Sequence, residues 1–407
     1  MNAFGNGRAA LLGDAVMAER LGWPRRKRSL PDPELWLTPV EGDPRQEAWI
    51  ARKRLLPGLD ALWTRPDAQA GWTYLRDVPG LPKYLRRLAE PPRERELVVG
   101  ITGLGRVGGL AAAALSTIAS PQSRISTLLI HDSDAANLER WRLELGSVAA
   151  WGRGIRLPVV EVAGREELFR RCDAVLFAAA AWVPPLDATG DMRLPQFPGN
   201  RAILQETLQD AARADFSGLF LMVSDPVECL AQASFHDSNV DAAGAFTGLG
   251  LAPERCAGLA LGVMWGRALA AARAEGRGTR VHARGLPLGP HSTEVLVYDD
   301  PQAPDLALCR HMNEAARHGN LRVRELGFLP YVGPALSSIV LTLPRLLAGR
   351  EILASTFLGG LYFGAPARLD WGLVPRTQRL GQLARKEVHE LHALLQGRME
   401  RLDVAFR

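Results

Sequence analysis

Three glycines in a short run are the residues of this chain with the plainest chemical use. Gly103, Gly105 and Gly108 form a Gly-x-Gly-x-x-Gly pattern after an apolar segment, 97–102, and before a run of small residues. In a nucleotide-binding turn the first glycine permits the tight bend, the second lets backbone approach a pyrophosphate, and the third lets the next helix pack closely. The free N–H groups of the first helical turn then face the phosphates. The pattern predicts a dinucleotide site; the alternative is a glycine-rich turn in a sugar-binding, flavin-binding or non-nucleotide α/β protein.

An acidic residue ends the next apolar segment and favours one form of the dinucleotide. Residues 127–131 are typical of a second buried strand, and Asp132 follows directly. Its separation from the glycines is that of the acid that binds the ribose in dinucleotide folds. A carboxylate there accepts hydrogen bonds from both ribose hydroxyls and repels a 2′-phosphate. The sequence therefore predicts NAD rather than NADP.

The elements that must position these residues alternate between strand and helix. From 95 to 249 this alternation predicts a dinucleotide-binding domain with right-handed βαβ crossovers, an α/β fold with a Rossmann-type doubly wound parallel sheet. Such a sheet binds its ligand beyond the carboxyl ends of its strands. The cofactor contacts are expected at the glycine turn, in the first turn of its helix and at three further strand ends: Gly103, Gly105, Arg106, Val107, Gly108, Asp132, Ala179 and Val223.

The pattern changes beyond the first domain. Residues 250–407 mix helical and strand-like segments and predict an α+β second domain. An alanine-rich segment predicts one long helix over 253–274, and 280–283 predicts a strand. A charged amphipathic helix is expected over 380–402.

Residues 1–94 form an extension that is rich in tryptophan and arginine. It holds Trp23, Trp36, Trp49, Trp63 and Trp72, half of the tryptophans of the chain, together with the basic run 25–28. Because tryptophan is costly to leave in water, we expect the extension to pack on the rest of the chain, on a second subunit or on a peptide or protein partner. A nucleic-acid-binding arm is the alternative, which the interspersed acids disfavour.

Composition excludes several classes of protein. Apolar residues make up 47% and charged residues 23%, and the net charge is +5. No apolar run reaches membrane-spanning length and no signal-peptide pattern begins the chain, so a cytoplasmic location without membrane contact is expected. The four cysteines are scattered without a Cys-x-x-Cys pair, which predicts neither disulfides nor a metal site.

Taken in order, the segments from 97 to 402 resemble the lactate/malate dehydrogenase family. The segments similar to the family's phosphate loop and second strand are GITGLGRVGG and LLIHDSD. Those similar to its substrate-loop strand and loop end are CDAVLFAAA and GDMR. Those similar to its VSNPVD segment and its carboxylate-arginine segment are LMVSDPVECLA and TGLGLAPERCA. Those similar to its catalytic-histidine segment and to later landmarks are GPHSTEV, YVGPA and GLYFG.

The resemblance implies a particular chemistry and a C-terminal domain of the same family's type, which carries the substrate and catalytic groups. It implies hydride transfer between a nicotinamide and C2 of a 2-hydroxy acid, a small-molecule substrate, and a homo-oligomer, either a dimer or a tetramer. Arg255 aligns with the family's arginine that binds the substrate carboxylate. His291 aligns with the histidine that carries the proton, and Arg193 aligns with the arginine of the substrate loop. It adds Asn200 and Asp225 to the expected cofactor contacts.

This chain departs from the family pattern at three places. Ala252 stands where the family has the aspartate that holds the histidine, and Asp225 stands where it has an asparagine. The loop 180–192 is longer than usual and apolar, which favours a substrate with a bulky or apolar side chain. Two alternatives follow: a repurposed reductase of another polar double bond, such as an imine or a dehydroamino acid, and a non-catalytic NAD-binding protein.

Overall fold

The computed structural model describes most of the chain beyond the extension. The described residues are 96–188, 190–241, 250–369 and 372–405, with the short segments 3–5, 9–12, 35–39, 59–63 and 72–75.

The strands are β1 (Ala3–Gly5), β2 (Ala9–Leu12), β3 (Leu35–Pro39), β4 (Trp72–Leu75), β5 (Leu97–Thr102), β6 (Ile125–His131), β7 (Val159–Val162), β8 (Ala174–Phe177), β9 (Leu219–Met222), β10 (Cys256–Gly258), β11 (Leu286–Leu288), β12 (Leu296–Tyr298), β13 (Ile352–Leu358), β14 (Leu361–Leu369) and β15 (Leu373–Pro375).

The α-helices are α1 (Arg106–Ser116), α2 (Ser120–Ser123), α3 (Ala135–Gly146), α4 (Arg165–Arg171), α5 (Phe197–Arg213), α6 (Val227–Ser238), α7 (Leu261–Ala274), α8 (Gly278–Arg284), α9 (Leu306–Glu325), α10 (Leu343–Leu347) and α11 (Gln382–Arg401). Short 3₁₀ turns span Leu59–Leu62, Leu194–Gln196 and Pro253–Arg255, and a π-helix spans Pro334–Val340.

A nine-stranded sheet organises the described residues. Its strand order is β15-β14-β13-β10-β9-β8-β5-β6-β7. The strands from β10 to β7 are parallel, and β13, β14 and β15 run antiparallel. Chain order reverses between β5 and β8, so the carboxyl ends of these two strands border a crevice. The α/β fold with a doubly wound sheet predicted from the sequence is confirmed.

The C-terminal part of the chain shares this sheet. β10 pairs with β9, and β13 pairs with β10, so the predicted boundary at 249/250 does not separate two sheets. The helix expected over 253–274 begins only at Leu261, because Cys256–Gly258 are a strand, and the strand expected over 280–283 lies within α8. Small apolar residues pack equally well in a buried strand and in a helix, so composition alone did not separate the two.

Helices cover both faces of the sheet. In β8, Ala174 and Leu176 belong to the apolar cluster under α1 and the π-helix, whereas Val175 and Phe177 belong to the cluster under α4, α5, α6 and α11. Every residue of β8 is buried. A strand that is apolar on both faces is typical of a parallel sheet between two helical layers.

One segment of the extension contacts the C-terminal helix. Leu62 is fully buried, and the backbone N–H of Gln378 donates to its carbonyl at 2.5 Å. The ring of Trp63 lies 5.0 Å from that of His389 in α11, in an edge-on arrangement. Trp63 therefore packs on the rest of the chain as predicted, while Trp23 and Trp49 lie outside the described residues. Elsewhere in the extension, β1 to β4 form a four-stranded sheet.

Within the described residues, no helix combines the length and apolar character needed to cross a bilayer. All four cysteines lie within the described residues, are buried and form no disulfide bond. In the same part of the chain, no three His, Cys, Asp or Glu side chains are grouped so that they could hold a metal ion.

Candidate active site

The turn after β5 has the close packing that a nucleotide-binding turn requires. Gly103 has a φ of +92°, and a Cβ there would overlap the backbone of Ala179. A Cβ on Gly108 would overlap the carbonyl oxygen of Gly103, so this glycine lets α1 approach the turn. A Cβ on Gly105 would meet no atom within 4 Å. Of the three, Gly105 is therefore the position whose bare backbone faces open space.

The first turn of α1 offers backbone donors to that space. Gly105 is the N-cap of α1 and supplies no side-chain cap. The first N–H groups of a helix have no partner inside it, and together they favour an anion. Gly105, Arg106 and Val107 all line the neighbouring cavity. A phosphate group next to Gly105 would meet these donors directly.

Asp132 stands at the carboxyl end of β6, beside the glycine turn. One carboxylate oxygen accepts the backbone N–H of Leu104 at 2.6 Å and the side-chain amide of Asn137 at 3.2 Å, and the other accepts the N–H of Asp134 at 2.9 Å. These bonds fix the carboxylate at the cavity wall. Since a carboxylate has about four acceptor positions, it keeps capacity for a ligand hydroxyl.

A cavity of about 580 Å³ connects the glycine turn with a group of charged side chains. It lies at the carboxyl ends of the parallel strands, beside the crevice where chain order reverses. The residues expected from the sequence that line it are Gly103, Gly105, Arg106, Val107, Asp132, Ala179, Arg193, Val223, Asp225 and His291. Gly108, Asn200 and Arg255 are not among its lining residues.

Asn200 contacts backbone rather than the cavity. It is fully buried at the start of α5, where its side-chain oxygen accepts the N–H of Ala181 at 2.8 Å and its amide donates to the carbonyl of Asp225 at 2.6 Å. It thereby joins the turns that follow β8 and β9. The expected cofactor contact is replaced by a positioning role, which holds Asp225 at the cavity.

Arg255 lies at the wrong end of its strand for the role expected of it. It immediately precedes β10, so it is at the amino end, whereas the cavity is at the carboxyl end. Arg267, in α7 beyond the carboxyl end of β10, lines the cavity instead. The sequence reasoning missed Arg267 because it read 253–274 as one helix. Predicting a short strand before residue 261 would have placed Arg267 in the helix that follows the carboxyl end of that strand.

Arg267 is a desolvated cation at the cavity wall. Its pKa is lowered to about 10, first by burial and then by the charge of Arg193, while Asp225 opposes both effects. One terminal nitrogen donates to the carbonyl of Ala316 at 3.3 Å. A guanidinium that keeps its charge in such a place gains from a carboxylate partner, which it can bind through two parallel hydrogen bonds.

Arg193 enters the cavity from the loop that follows β8. The side chain is largely buried, and one terminal nitrogen lies 2.8 Å from a carboxylate oxygen of Asp191. The same aspartate accepts the backbone N–H of Arg193 at 3.1 Å. Arg193 is thus held at the cavity with its charge already paired within the loop.

His291 and Asp225 face each other at the cavity wall. Nε2 of His291 lies 3.9 Å from Oδ1 of Asp225. Burial, then the charges of Arg193 and Arg267, hold the pKa of His291 well below its usual range, with the Ala260 carbonyl acting in the opposite direction. Burial raises the pKa of Asp225 to about 6, although Arg193 opposes that rise. The histidine is therefore neutral at pH 7, and the carboxyl takes up a proton far more readily than an exposed aspartate.

A buried acid beneath this pair fixes the histidine loop. Glu228, in the first turn of α6, accepts the backbone N–H of His291 at 3.0 Å and the hydroxyl of Ser355 at 2.8 Å. Burial raises the pKa of Glu228, and these two hydrogen bonds oppose the rise. Sequence reasoning did not identify Glu228, because its partners come from distant parts of the chain.

The loop after β8 closes part of the cavity. Val183 and Pro184 line it, and the side chain of Arg324 in α9 donates to the carbonyl of Pro185 at 2.6 Å. Leu259, Val263 and Leu329 add apolar wall. The cavity is therefore charged around His291, where Arg193 and Arg267 also lie, and apolar where these hydrophobic side chains line it.

Comparison with known proteins identifies the fold. No protein-family model and no curated protein sequence matches the chain. A lactate dehydrogenase from a Medee basin deep-sea metagenome library superposes with a TM-score of 0.59 at 16% identity, over 75% of this chain and 98% of that chain. The minor L-lactate dehydrogenase of Enterococcus mundtii gives 0.59 at 18%, over 75% and 98%, and the malate dehydrogenase of Cryptosporidium parvum gives 0.58 at 14%, over 76% and 99%. The chain has the fold of these enzymes.

Proposed function

We propose that this chain is a divergent lactate/malate dehydrogenase-like oxidoreductase that uses NAD(H) to interconvert a 2-hydroxy acid and a 2-oxo acid. The observation that supports this best is the continuity of one cavity from Gly105 and Asp132 to Arg193, Arg267 and His291. A dinucleotide is long enough to need such a path, with its phosphates at the glycine turn and its reactive ring near the charged residues.

The residues present fit the cofactor. The space that a Cβ on Gly105 would enter is open, the N-terminus of α1 is uncapped, and the Asp132 carboxylate lies at the wall where a ribose would bind. When bound, a nicotinamide supplies or accepts a hydride. The acid at Asp132 favours the form without a 2′-phosphate.

The substrate contacts follow from the side chains at the other end of the cavity. Arg267 binds the carboxylate as a fork, and Arg193 polarises the oxygen on C2. His291 exchanges the proton of that oxygen. The residue three positions before Arg267 is Met264, so the acid that would hold the histidine is missing there, just as it is at Ala252. The apolar wall, which includes Val183, Leu259 and Leu329, favours a bulky or apolar side chain on the substrate.

The test is NADH oxidation with a panel of 2-oxo acids whose side chains range from methyl to benzyl. We expect turnover that favours the larger apolar members. Arg267→Lys should lower kcat/KM by about 10²-fold or more, since the second parallel hydrogen bond is lost, whereas the matched change Arg255→Lys should leave it within about threefold. Equal losses in both variants, or activity that survives His291→Asn unchanged, would contradict the proposal.

A second candidate is favoured by Asp225. A carboxylate that faces the reacting atoms suits a cationic C=N bond better than a neutral ketone. The enzyme would then reduce an imine or a dehydroamino acid. NADH oxidation with a cyclic imino acid, in the absence of any response to 2-oxo acids, would favour this candidate and also exclude a non-catalytic NAD-binding protein.

A further inference from the structure

Two groups with unused hydrogen-bonding capacity face each other in the cavity. Oδ1 of Asp225 and Nδ1 of His291 are both buried, and neither has a hydrogen-bond partner of good geometry among the described residues. Asp225 follows β9, whereas His291 lies between β11 and β12. Buried polar groups are normally satisfied, so both residues have capacity for a ligand, and the ring nitrogen of His291 that faces Oδ1 is Nε2.

The separation of the two groups suits a shared ligand atom. Nε2 and Oδ1 are 3.9 Å apart, which is too far for a direct hydrogen bond. An oxygen placed about 2.8 Å from each would subtend an angle of roughly 90° between them. Such an angle is compatible with two hydrogen bonds at one carbonyl or hydroxyl oxygen. The substrate oxygen on C2 can therefore contact both groups at once.

Charged groups around the pair act on the pKa values of both members. Asp191 and Glu228 face Asp225 and favour its protonated form, whereas Arg193 and Arg267 favour its ionised form. The same two arginines disfavour the protonated form of His291. Burial raises the pKa of the acid to about 6 and lowers the pKa of the base from its usual 6.5. Ionisable groups that lie 3.9 Å apart are close enough for the charge of one to act on the pKa of the other.

We propose that Asp225 and His291 act as a pair that carries one exchangeable proton, and that this pair, rather than His291 alone, exchanges the proton of the substrate oxygen. The inference rests on the proposed function for its substrate but concerns only residues of this chain. It assigns a catalytic role to an aspartate that stands in place of the asparagine expected from the family resemblance.

The step balances in both directions. In reduction, C2 of the oxo acid gains a hydride from the reduced nicotinamide, the C=O π electrons move to oxygen, and that oxygen takes the proton of the pair. The pair is left with Asp225 ionised and His291 neutral, a state that Arg193 and Arg267 stabilise. In oxidation the ionised pair removes the hydroxyl proton while the hydride leaves C2 for the oxidised nicotinamide.

The first test follows the histidine itself and needs no turnover. The Cε1 signals of the full-length protein are titrated by NMR, and His291 is assigned by comparison with His291→Asn. In Asp225→Asn, the midpoint of the His291 titration should fall by one pH unit or more, because the acid that shared its proton is gone. Asp403→Asn, the same change at an exposed position, should leave the midpoint in place. A shift below about 0.3 units in Asp225→Asn would overturn the proposal.

The second test is the pH dependence of kcat/KM for reduction of the best 2-oxo acid. Reduction needs the protonated pair, so kcat/KM should fall as pH rises through the pKa of the pair. Asp225→Asn should lower kcat/KM at pH 7 by about 10²-fold or more, and the fall of kcat/KM with rising pH should occur at lower pH than in the wild type. A variant with the wild-type profile would overturn the pair while leaving the proposed function intact. No wild-type turnover of any 2-oxo acid would contradict the proposed function, and the NMR titration would still decide the pair.

Discussion

Gly105 allows a substitution that separates cofactor binding from folding. Its φ is −65°, a value that alanine adopts without strain, and its Cβ would meet no protein atom within 4 Å. We therefore expect Gly105→Ala to change the free energy of unfolding by no more than about 1 kcal/mol. The added methyl enters the space where a pyrophosphate must approach the backbone. We expect NADH affinity to fall at least tenfold, which corresponds to about 1.4 kcal/mol.

Two further glycine variants calibrate the result. Gly103→Ala combines a φ of +92° with overlap against the Ala179 backbone, so it should destabilise the fold by about 1–2 kcal/mol from φ strain alone and by more when the overlap is relieved. Gly146→Ala, at the exposed end of α3, also places its Cβ in open space but lies outside the cavity. It should leave both stability and NADH binding near the wild-type values.

The assay combines urea unfolding with titration of NADH fluorescence on the same samples. The expected pattern is loss of binding without loss of stability in Gly105→Ala alone. Wild-type NADH affinity in Gly105→Ala would refute the placement of the phosphates at this turn. A large loss of stability in that variant would refute the inference that the space beside Gly105 is open.

The remaining predictions concern stability. Leu62→Ala should lower the free energy of unfolding by about 2–5 kcal/mol, because Leu62 is fully buried although it lies in the extension, and a loss under about 0.5 kcal/mol in urea unfolding would mean that this segment does not pack there. Asp225→Asn should stabilise the free protein at high pH, since the raised pKa means that ionisation opposes folding. The gain should be absent below about pH 4, grow as pH rises to about 6 and reach at most about 3 kcal/mol above it; a gain equal at pH 4 and pH 8 would contradict the cause given for the pKa.

The parts of the site that depend on local sequence were the parts that could be predicted. The turn at Gly103 to Gly108 is specified by steric demands within a few residues, and Asp132 follows from the strand that ends beside it. Arg267 was missed because its position depends on three small residues, Cys256–Gly258, that pair with β9 rather than continuing a helix. Whether these three residues form a strand or a helix therefore depends on pairing within the sheet and not on their own propensity.

The cluster around Asp225 could not be predicted for a related reason. Asp225 and His291 follow different strands, and Glu228 reaches both the His291 backbone and Ser355, a residue far along the chain. Periodicity and composition report on neighbours in sequence, whereas these contacts depend on strand order. The sequence marked Asp225 as an expected cofactor contact and as a departure from the family pattern, and the geometry shows what it faces.

The uninterrupted sheet has a consequence for how ligands enter and leave. Strands from both halves of the chain are hydrogen-bonded into one frame, so the two halves cannot swing apart about a hinge without tearing β10 from β9 or β13. Changes in access to the cavity are therefore expected in the segment after β8, where the side chain of Arg324 donates to the carbonyl of Pro185.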